Sequence, residues 1–180
     1  MRLFLFIILL CSLSGCGHKA PAAANLRNHR NEIAGFALNL PEGWIASSTG
    51  NDRETYLRVL PADGKKPPVR LMISVLVESA PKGLDLAAFF KSAREQLSRQ
   101  NAYSERQALL TQHASGLPAY LIEADLGRPT DGPEGRPCRF KQFAFLLHGR
   151  QIVITAVVPA DDADRHMSEV DPILNSFLTW

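Results

Sequence analysis

The sequence predicts an α+β domain built on a predominantly antiparallel sheet of about six to seven strands that is flanked by helices. Several segments alternate apolar and polar residues, or are continuously apolar, as strands do. Two others, 85–100 and the stretch after Asp161, instead carry apolar residues at helical spacing. The clearest pairing joins 140–147 to 151–158 through His148-Gly149, a two-residue hairpin connection whose glycine supplies the positive φ that such a turn needs.

The expected chain order is three strands, a helix, four strands and a second helix. The strand segments are 35–40, 54–60, 70–77, 109–113, 119–126, 140–147 and 151–158. The third and the last two are apolar on both faces, which predicts central positions with a layer on each side. Asp85 is placed to cap the first helix. Pro172 interrupts the closing helix, so we expect a kink or a new helix start there in a stripe formed by Met167, Val170, Leu174 and Phe177.

Residues 1–15 have the layout of a secretory signal peptide. Arg2 precedes an apolar run of about ten residues, which is too short to span a bilayer. Leu13-Ser14-Gly15-Cys16 resembles a bacterial lipobox, which implies cleavage before Cys16 and acylation of its sulfur, with palmitate among the acyl chains. Gly17 follows where an aspartate often retains lipoproteins in the inner membrane, so outer-membrane sorting is implied. The alternative is an ordinary signal peptide with a cysteine near its cleavage site.

We therefore expect three parts: the signal peptide 1–15, an acylated Cys16 with a flexible tether over 16–33, and one globular domain over 34–180. The tether is rich in Ala, Pro, Asn and charge. His18 and His29 lie in it and are expected to be solvated.

Cysteine usage excludes an internal disulfide in the mature domain, because only Cys138 remains beyond Cys11 and Cys16. We expect Cys138 to be a buried small residue. The alternative is a reactive thiol whose pKa is lowered by Arg136 and Arg139.

The charge pattern argues against nucleic acid as a partner, since the net charge is +2 and no basic stripe is interleaved with aromatic residues. It also argues against a polybasic contact with anionic lipid. No apolar run after the signal approaches the length of a membrane span.

The motifs of serine hydrolases, metalloproteases, dithiol oxidoreductases and phosphate-binding enzymes are missing from the sequence. We therefore expect a non-enzyme without metal or cofactor; a hydrolase without a recognisable motif is the alternative. The spacing of three histidines does not require them to converge: His113, His148 and His166. Ser47-Ser48-Thr49 is expected in a loop with no base visible in the sequence. Three acidic residues lack the glycine and late glutamate of a calcium loop and are expected to cap the closing helix: Asp161, Asp162 and Asp164.

Two segments are candidates for contact with a partner or ligand. The loop 127–137 is rich in Gly, Pro and charge and is long for a hairpin connection, so it is the first candidate contact surface. The alternative is a plain variable surface loop. Phe89-Phe90 on the first helix is expected to pack on the sheet. The alternative is that this pair lines an apolar pocket.

Several segments together resemble DcrB-like and PsbP-like proteins. The opening Phe36-Ala37-Leu38-Asn39-Leu40-Pro41-Glu42-Gly43-Trp44 is similar to the family pattern F-x-x-x-x-P-x-G-W. The helix at 85–100, the turn Gly116-Leu117-Pro118-Ala119 and the ending Ile173-Leu174-Asn175-Ser176-Phe177 fit the same pattern. The resemblance implies an α/β/α sandwich and a binding role, and it implies no common catalytic residues.

These expectations lead to one main hypothesis: a membrane-anchored lipoprotein facing the periplasm, whose non-catalytic domain is an adaptor for an envelope protein complex. Its expected partners are the lipid bilayer and an envelope protein. The alternative is a periplasmic carrier of a small apolar ligand or lipid, suggested by the Phe and Leu residues of 85–100 and 140–147. The sequence assigns no ligand-binding residue.

Overall fold

The computed structural model of the protein describes residues 27–50, 54–61, 72–100, 102–127 and 137–180. Within these residues the chain forms ten strands and two helices. In chain order they are β1 (Arg27–Asn31), β2 (Phe36–Leu40), β3 (Trp44–Gly50), β4 (Glu54–Pro61), β5 (Met72–Ser79), α1 (Leu86–Leu97), β6 (Ser104–Gln112), β7 (Pro118–Leu126), β8 (Cys138–Leu147), β9 (Arg150–Pro159), α2 (Ala163–Asn175) and β10 (Leu178–Thr179). The predicted α+β class is confirmed.

Seven strands form one sheet in the order β3-β4-β5-β9-β8-β7-β6, and every neighbouring pair is antiparallel. β9 is the central strand and β8 lies beside it, as their apolar character on both faces predicts. Ile152 and Ile154 are fully buried on one face of β9, and Val153 is buried on the other. This strand therefore requires a covering layer on each side.

The β8–β9 hairpin has the predicted two-residue turn. His148 and Gly149 both have positive φ, at 50° and 72°. Leu147 pairs directly with Arg150 across the turn, so the register is the predicted one. Gly149 meets the turn's need for positive φ without steric cost.

One face of the large sheet is covered by α2 and by a second, small sheet of order β1-β2-β10. Two ion pairs also join α2 to β8. Lys141 Nζ lies 2.9 Å from Asp171 Oδ1, and Arg139 pairs with Asp164. The core under this layer includes Phe36, Leu38, Val170, Ile173, Leu174 and Phe177.

The opposite face carries α1. Asp85 caps this helix as predicted, because its Oδ1 accepts a hydrogen bond from Ala88 N at 2.7 Å. The helix ends at Leu97 rather than at residue 100. Phe89 and Phe90 pack on the ring of Tyr120 of β7, with centroid distances of 5.2 and 5.6 Å. The expected packing of this phenylalanine pair on the sheet is thus confirmed.

The structure differs from the predicted tether at its C-terminal end, because Arg27–Asn31 form β1 and pair with β2. Sequence periodicity cannot reveal this strand, since it has no large apolar residue. Its pairing is supported by polar contacts instead: Asn28 Nδ2 donates to Asn39 Oδ1 at 3.1 Å. His29 is half-buried in β1 rather than solvated, and burial lowers its pKa.

A second difference concerns Ser47-Ser48-Thr49. These residues belong to β3 rather than to a loop, and β3 pairs continuously with β4. β6 likewise begins at Ser104 rather than at residue 109. Both are edge strands of the large sheet, where polar residues replace the apolar alternation that marks inner strands.

The start of α2 also differs from the prediction. Asp162 is the N-cap residue, but it has a φ of 65° and its side chain makes no capping hydrogen bond. Its Oδ2 instead lies 3.0 Å from Arg165 Nε, one turn further along. Asp164 lies in the first turn and pairs with Arg139. The helix then continues through Pro172 to Asn175 without a new start.

His113 links the β6–β7 turn to the end of α2. Ser115 N donates to its Nδ1 at 3.1 Å, so Nε2 carries the proton and donates to Leu174 O at 3.0 Å. The ring is 3% exposed and lies edge-on to Phe143 and Phe145. Burial lowers the pKa of His113, against the raising effect of the Leu174 carbonyl.

We expect the free energy of unfolding to fall as the pH drops below about 6.5, because unfolded His113 takes up a proton that the folded residue resists. Replacing His113 by Gln removes this contribution, which is at most about 1.4 kcal/mol per pH unit. Urea unfolding at about pH 7 and about pH 5 measures it. His148→Asn, in the exposed turn, is the matched control and should keep the full pH dependence. An unchanged pH dependence in His113→Gln would contradict the assignment.

Candidate interaction surface

The predicted anchor lies outside the described residues: Cys16 and the lipobox residues Leu13, Ser14 and Gly15. Residues 128–136 of the loop expected to form a contact surface lie outside them too. Both predictions therefore stay predictions. In the part of the chain that is described, no helix is long and apolar enough to cross a membrane.

Cys138 begins β8 and is 4% exposed, as expected for a buried small residue. Arg136 lies outside the described residues. Arg139 points to the opposite face of the sheet, as neighbours in a strand do. Its Nε donates to Asp125 Oδ1 at 2.8 Å, and it also pairs with Asp164. Burial acts to raise the pKa of Asp125, but hydrogen bonds from arginine lower it overall. The guanidinium of Arg139 thus contacts two carboxylates, on the face of the sheet opposite the Cys138 thiol.

The remaining chemical candidates are scattered. His113 is buried in the core, His148 lies in the β8–β9 turn, and His166 lies on α2. Across the described residues, His, Cys, Asp and Glu form no group of three that could hold a metal ion.

Two buried polar atoms lie between α1 and the large sheet. Tyr120 Oη and Gln142 Oε1 have no hydrogen-bond partner within the described residues. Gln142 Nε2 donates to Thr155 Oγ1 at 3.1 Å, so one end of that amide is satisfied. Burial raises the pKa of Tyr120. Unsatisfied buried polar atoms are costly, and a ligand or an ordered water is what commonly pairs with them.

Exposed apolar residues gather at one end of the small sheet. Ile33, Leu178 and Trp180 are 71%, 52% and 46% exposed. Ile33 lies in the turn between β1 and β2, and Trp180 N donates to Gly35 O of the same turn at 3.1 Å. We call these three residues the Trp180 surface. A contiguous exposed apolar patch marks an interaction site more often than scattered apolar side chains do.

Hydrogen bonds hold the backbone of the Trp180 surface in place. Arg150, the first residue of β9, donates from Nη1 to Ala34 O at 2.7 Å and from Nη2 to Trp180 O at 3.1 Å. Thr179 Oγ1 donates to Gly35 O at 2.8 Å. Arg150 of the large sheet therefore hydrogen-bonds to both the β1–β2 turn and the segment after β10.

Gly35 allows this close approach. It has a φ of 69°, and a Cβ at this position would lie 2.9 Å from Trp180 O and 3.4 Å from the Arg150 guanidinium. Any side chain would push the Trp180 segment away from the turn. Glycine is therefore required both by the backbone conformation and by the contact.

Arg30 covers part of the Trp180 ring. Its Cζ lies 4.5 Å from the ring centroid, within the range of a cation–π contact. Its Nε also donates to Glu32 Oε1 at 2.8 Å. These contacts orient the indole while leaving nearly half of the side chain exposed.

The Trp180 surface was not predicted from the sequence. Ile33 fell in the predicted tether, and β10 has only two residues, too few to show a period. The available signal was the apolar content of Leu178 and Trp180 beyond the predicted end of α2.

No protein-family model matches the sequence, and no curated protein matches it. Solved structures do match. Cyanobacterial PsbP (CyanoP) from Synechocystis sp. PCC 6803 has a TM-score of 0.57 at 17% identity and covers 93% of this chain and 99% of its own. The Ran-binding protein Mog1p from Saccharomyces cerevisiae has a TM-score of 0.58 at 12% identity and covers 86% of this chain and 95% of its own.

A protein of unknown function from Pseudomonas aeruginosa, PA94, a putative regulator by its description, is similar to the same degree. Its TM-score is 0.56 at 15% identity, and the match covers 86% of this chain and 97% of that one. At these identities the similarity shows the fold alone. The chain therefore has the PsbP-like fold that the sequence resemblance implied.

We expect Gly35→Ala to destabilise the protein by about 1–3 kcal/mol more than Gly116→Ala, because only the first places a Cβ against backbone. Gly116 is the matched control: its φ is 84°, but a Cβ there would meet nothing within 4 Å. Urea unfolding compares the two variants. Equal losses of stability would show that the approach of Trp180 to the turn contributes nothing.

Proposed function

We propose that this protein is a bacterial envelope lipoprotein that is anchored through lipid on Cys16, faces the periplasm from the outer membrane and uses its PsbP-like domain as a non-catalytic adaptor. The domain binds an envelope protein through the Trp180 surface. The observation that carries the proposal is the exposure of Ile33, Leu178 and Trp180 on a backbone that hydrogen bonds from Arg150 hold in place. A preorganised apolar surface loses little entropy when a partner binds.

The position of β1 supports this orientation. Arg27, where β1 begins, pairs with Leu40, whereas Asn31 pairs with Phe36 beside the turn. The chain therefore enters the domain at the end of β1 away from Ile33, at a distance of roughly 13 Å along the strand. A tether that leads from Cys16 to Arg27 leaves the Trp180 surface available at the other end of the small sheet.

Trp180 has the character of a binding hot spot. Tryptophan and arginine are enriched among the residues that dominate binding energy, and here Arg30 stacks on the Trp180 ring. The partner that fits is a protein surface with an apolar pocket and a carboxylate near it for Arg30.

A carrier of a small amphiphile is the second candidate function. It is favoured by Tyr120 Oη and Gln142 Oε1, which lie buried among apolar side chains without a partner in the described residues. A ligand with one acceptor, one donor and an apolar remainder would satisfy both atoms. We rank the adaptor above the carrier because Phe89 and Phe90 pack on the Tyr120 ring, and a ligand bound there would have to displace them.

The anchor is tested by Cys16→Ala. We expect this variant to leave the membrane fraction or to remain uncleaved, because the acylated sulfur is lost. Cys11→Ala is the matched control, since Cys11 is removed with the signal peptide and its loss should change neither processing nor fractionation. Membrane binding with normal processing in Cys16→Ala would show that Cys16 is not the anchor.

The adaptor surface is tested by photo-crosslinking in cells. A photoreactive phenylalanine analogue replaces Leu178, and in a control chain it replaces Leu110, which is exposed to the same degree, 50% against 52%. We expect a discrete adduct with another envelope protein from position 178 only. Adding Trp180→Ala should reduce that adduct strongly. An adduct missing at 178, or the same adduct from both positions, contradicts a binding role for the Trp180 surface.

A further inference from the structure

The two edges of the large sheet differ in their protection. At one edge, the register of β6 shifts between Glu105 and Gln107, and Glu105 forms an ion pair with Arg94 of α1 at 2.6 Å. Bulges and charges keep an edge strand from pairing with another chain. At the other edge, β3 pairs with β4 over all seven of its residues without a shift, and its sequence, WIASSTG, has no charge and no proline.

The outer side of β3 offers the contacts that an added strand needs. Among the strands of the described residues, β3 pairs with β4 alone. Every second residue of β3 therefore directs its backbone N–H and C=O away from β4. Ser47 is exposed, and Ile45 is 59% exposed although it is β-branched and apolar. An incoming strand gains both hydrogen bonds and an apolar contact here.

We propose that β3 binds β3 of a second copy of this chain, antiparallel and in a register centred on Ser47. Ser47 is the midpoint of Trp44–Gly50, so this register pairs the whole strand. It places Ile45, whose side chain is exposed, opposite residue 49 of the second copy. It also places Trp44 opposite Gly50 of the second copy, a pairing in which an aromatic residue compensates for an edge glycine.

The same register satisfies the symmetry of a dimer. A two-fold axis perpendicular to the sheet, passing between Ser47 and Ser47 of the second copy, pairs odd-numbered residues with odd-numbered ones and even with even. Each face of the sheet therefore continues across the junction. No charged residue meets its own copy, because β3 contains none. A second copy is thus the occupant that the strand itself specifies, and this dimer goes beyond the proposed function and does not depend on the Trp180 surface.

The test uses the full chain in its own cell envelope. In Ser47→Cys, the new thiols of two paired copies face each other at a Cα separation of about 4.5–5.5 Å, which suits a disulfide. After oxidation with copper phenanthroline, we expect a non-reducing gel to show a product of twice the chain mass. Ser104→Cys, at an exposed serine on the other edge strand, is the matched control and should give no such product. No dimer from Ser47→Cys, equal dimer from both variants, or a product with another protein would overturn the proposal.

Charged substitutions of Ser47 provide a second test that does not use cysteine. Two tagged forms of the full chain are co-expressed and isolated in mild detergent. When both tagged chains carry Ser47→Lys, we expect them not to co-purify, because like charges face each other at the two-fold axis. A Ser47→Lys chain and a Ser47→Glu chain should co-purify to the same extent as two unsubstituted chains do. This result would also show that both variants fold. Equal retention of Ser47→Lys by itself, or loss of the Lys–Glu pair, contradicts the register.

Discussion

The β8–β9 hairpin is buried on both faces, and this burial determines the layers that surround it. Apolar side chains alternate to both sides of these two central strands, so neither face of the sheet can remain open to water. The His148-Gly149 turn determines the pairing register, and a slip by one residue would exchange the two faces. The layer with α2 and the layer with α1 are the two coverings that this hairpin requires.

The α2 layer also creates the Trp180 surface. The small sheet packs on the core through β2, and Arg150, at the start of β9, hydrogen-bonds to the turn and to the segment after β10. The same hairpin that organises the core therefore positions Ile33, Leu178 and Trp180 at the surface. Backbone restraints of this kind would lower the entropy that these residues lose on binding the partner proposed above.

The inner strands, the α1 cap and the hairpin register were predictable, because burial imposes a period on the sequence. The edges were not. β1 and much of β3 contain polar residues that lie in paired strands, so neither has an apolar alternation to detect. His113 looked like a possible site residue, but its ring completes the core beside Phe143 and satisfies Leu174 O. Asp162 failed as a side-chain cap because it pairs with Arg165 instead. The Trp180 surface depends on contacts between segments far apart in the chain, which local patterns do not reveal.

The proposed adaptor role requires the domain to bind a protein rather than a small molecule. Native mass spectrometry of the full chain, extracted from its own cell envelope in mild detergent, distinguishes the two. We expect a complex whose mass includes a different envelope protein, with no small-molecule adduct on the chain. A stoichiometric small adduct that Tyr120→Phe removes, in the absence of any second protein, would contradict the adaptor role and assign the layer between α1 and the sheet as a carrier site.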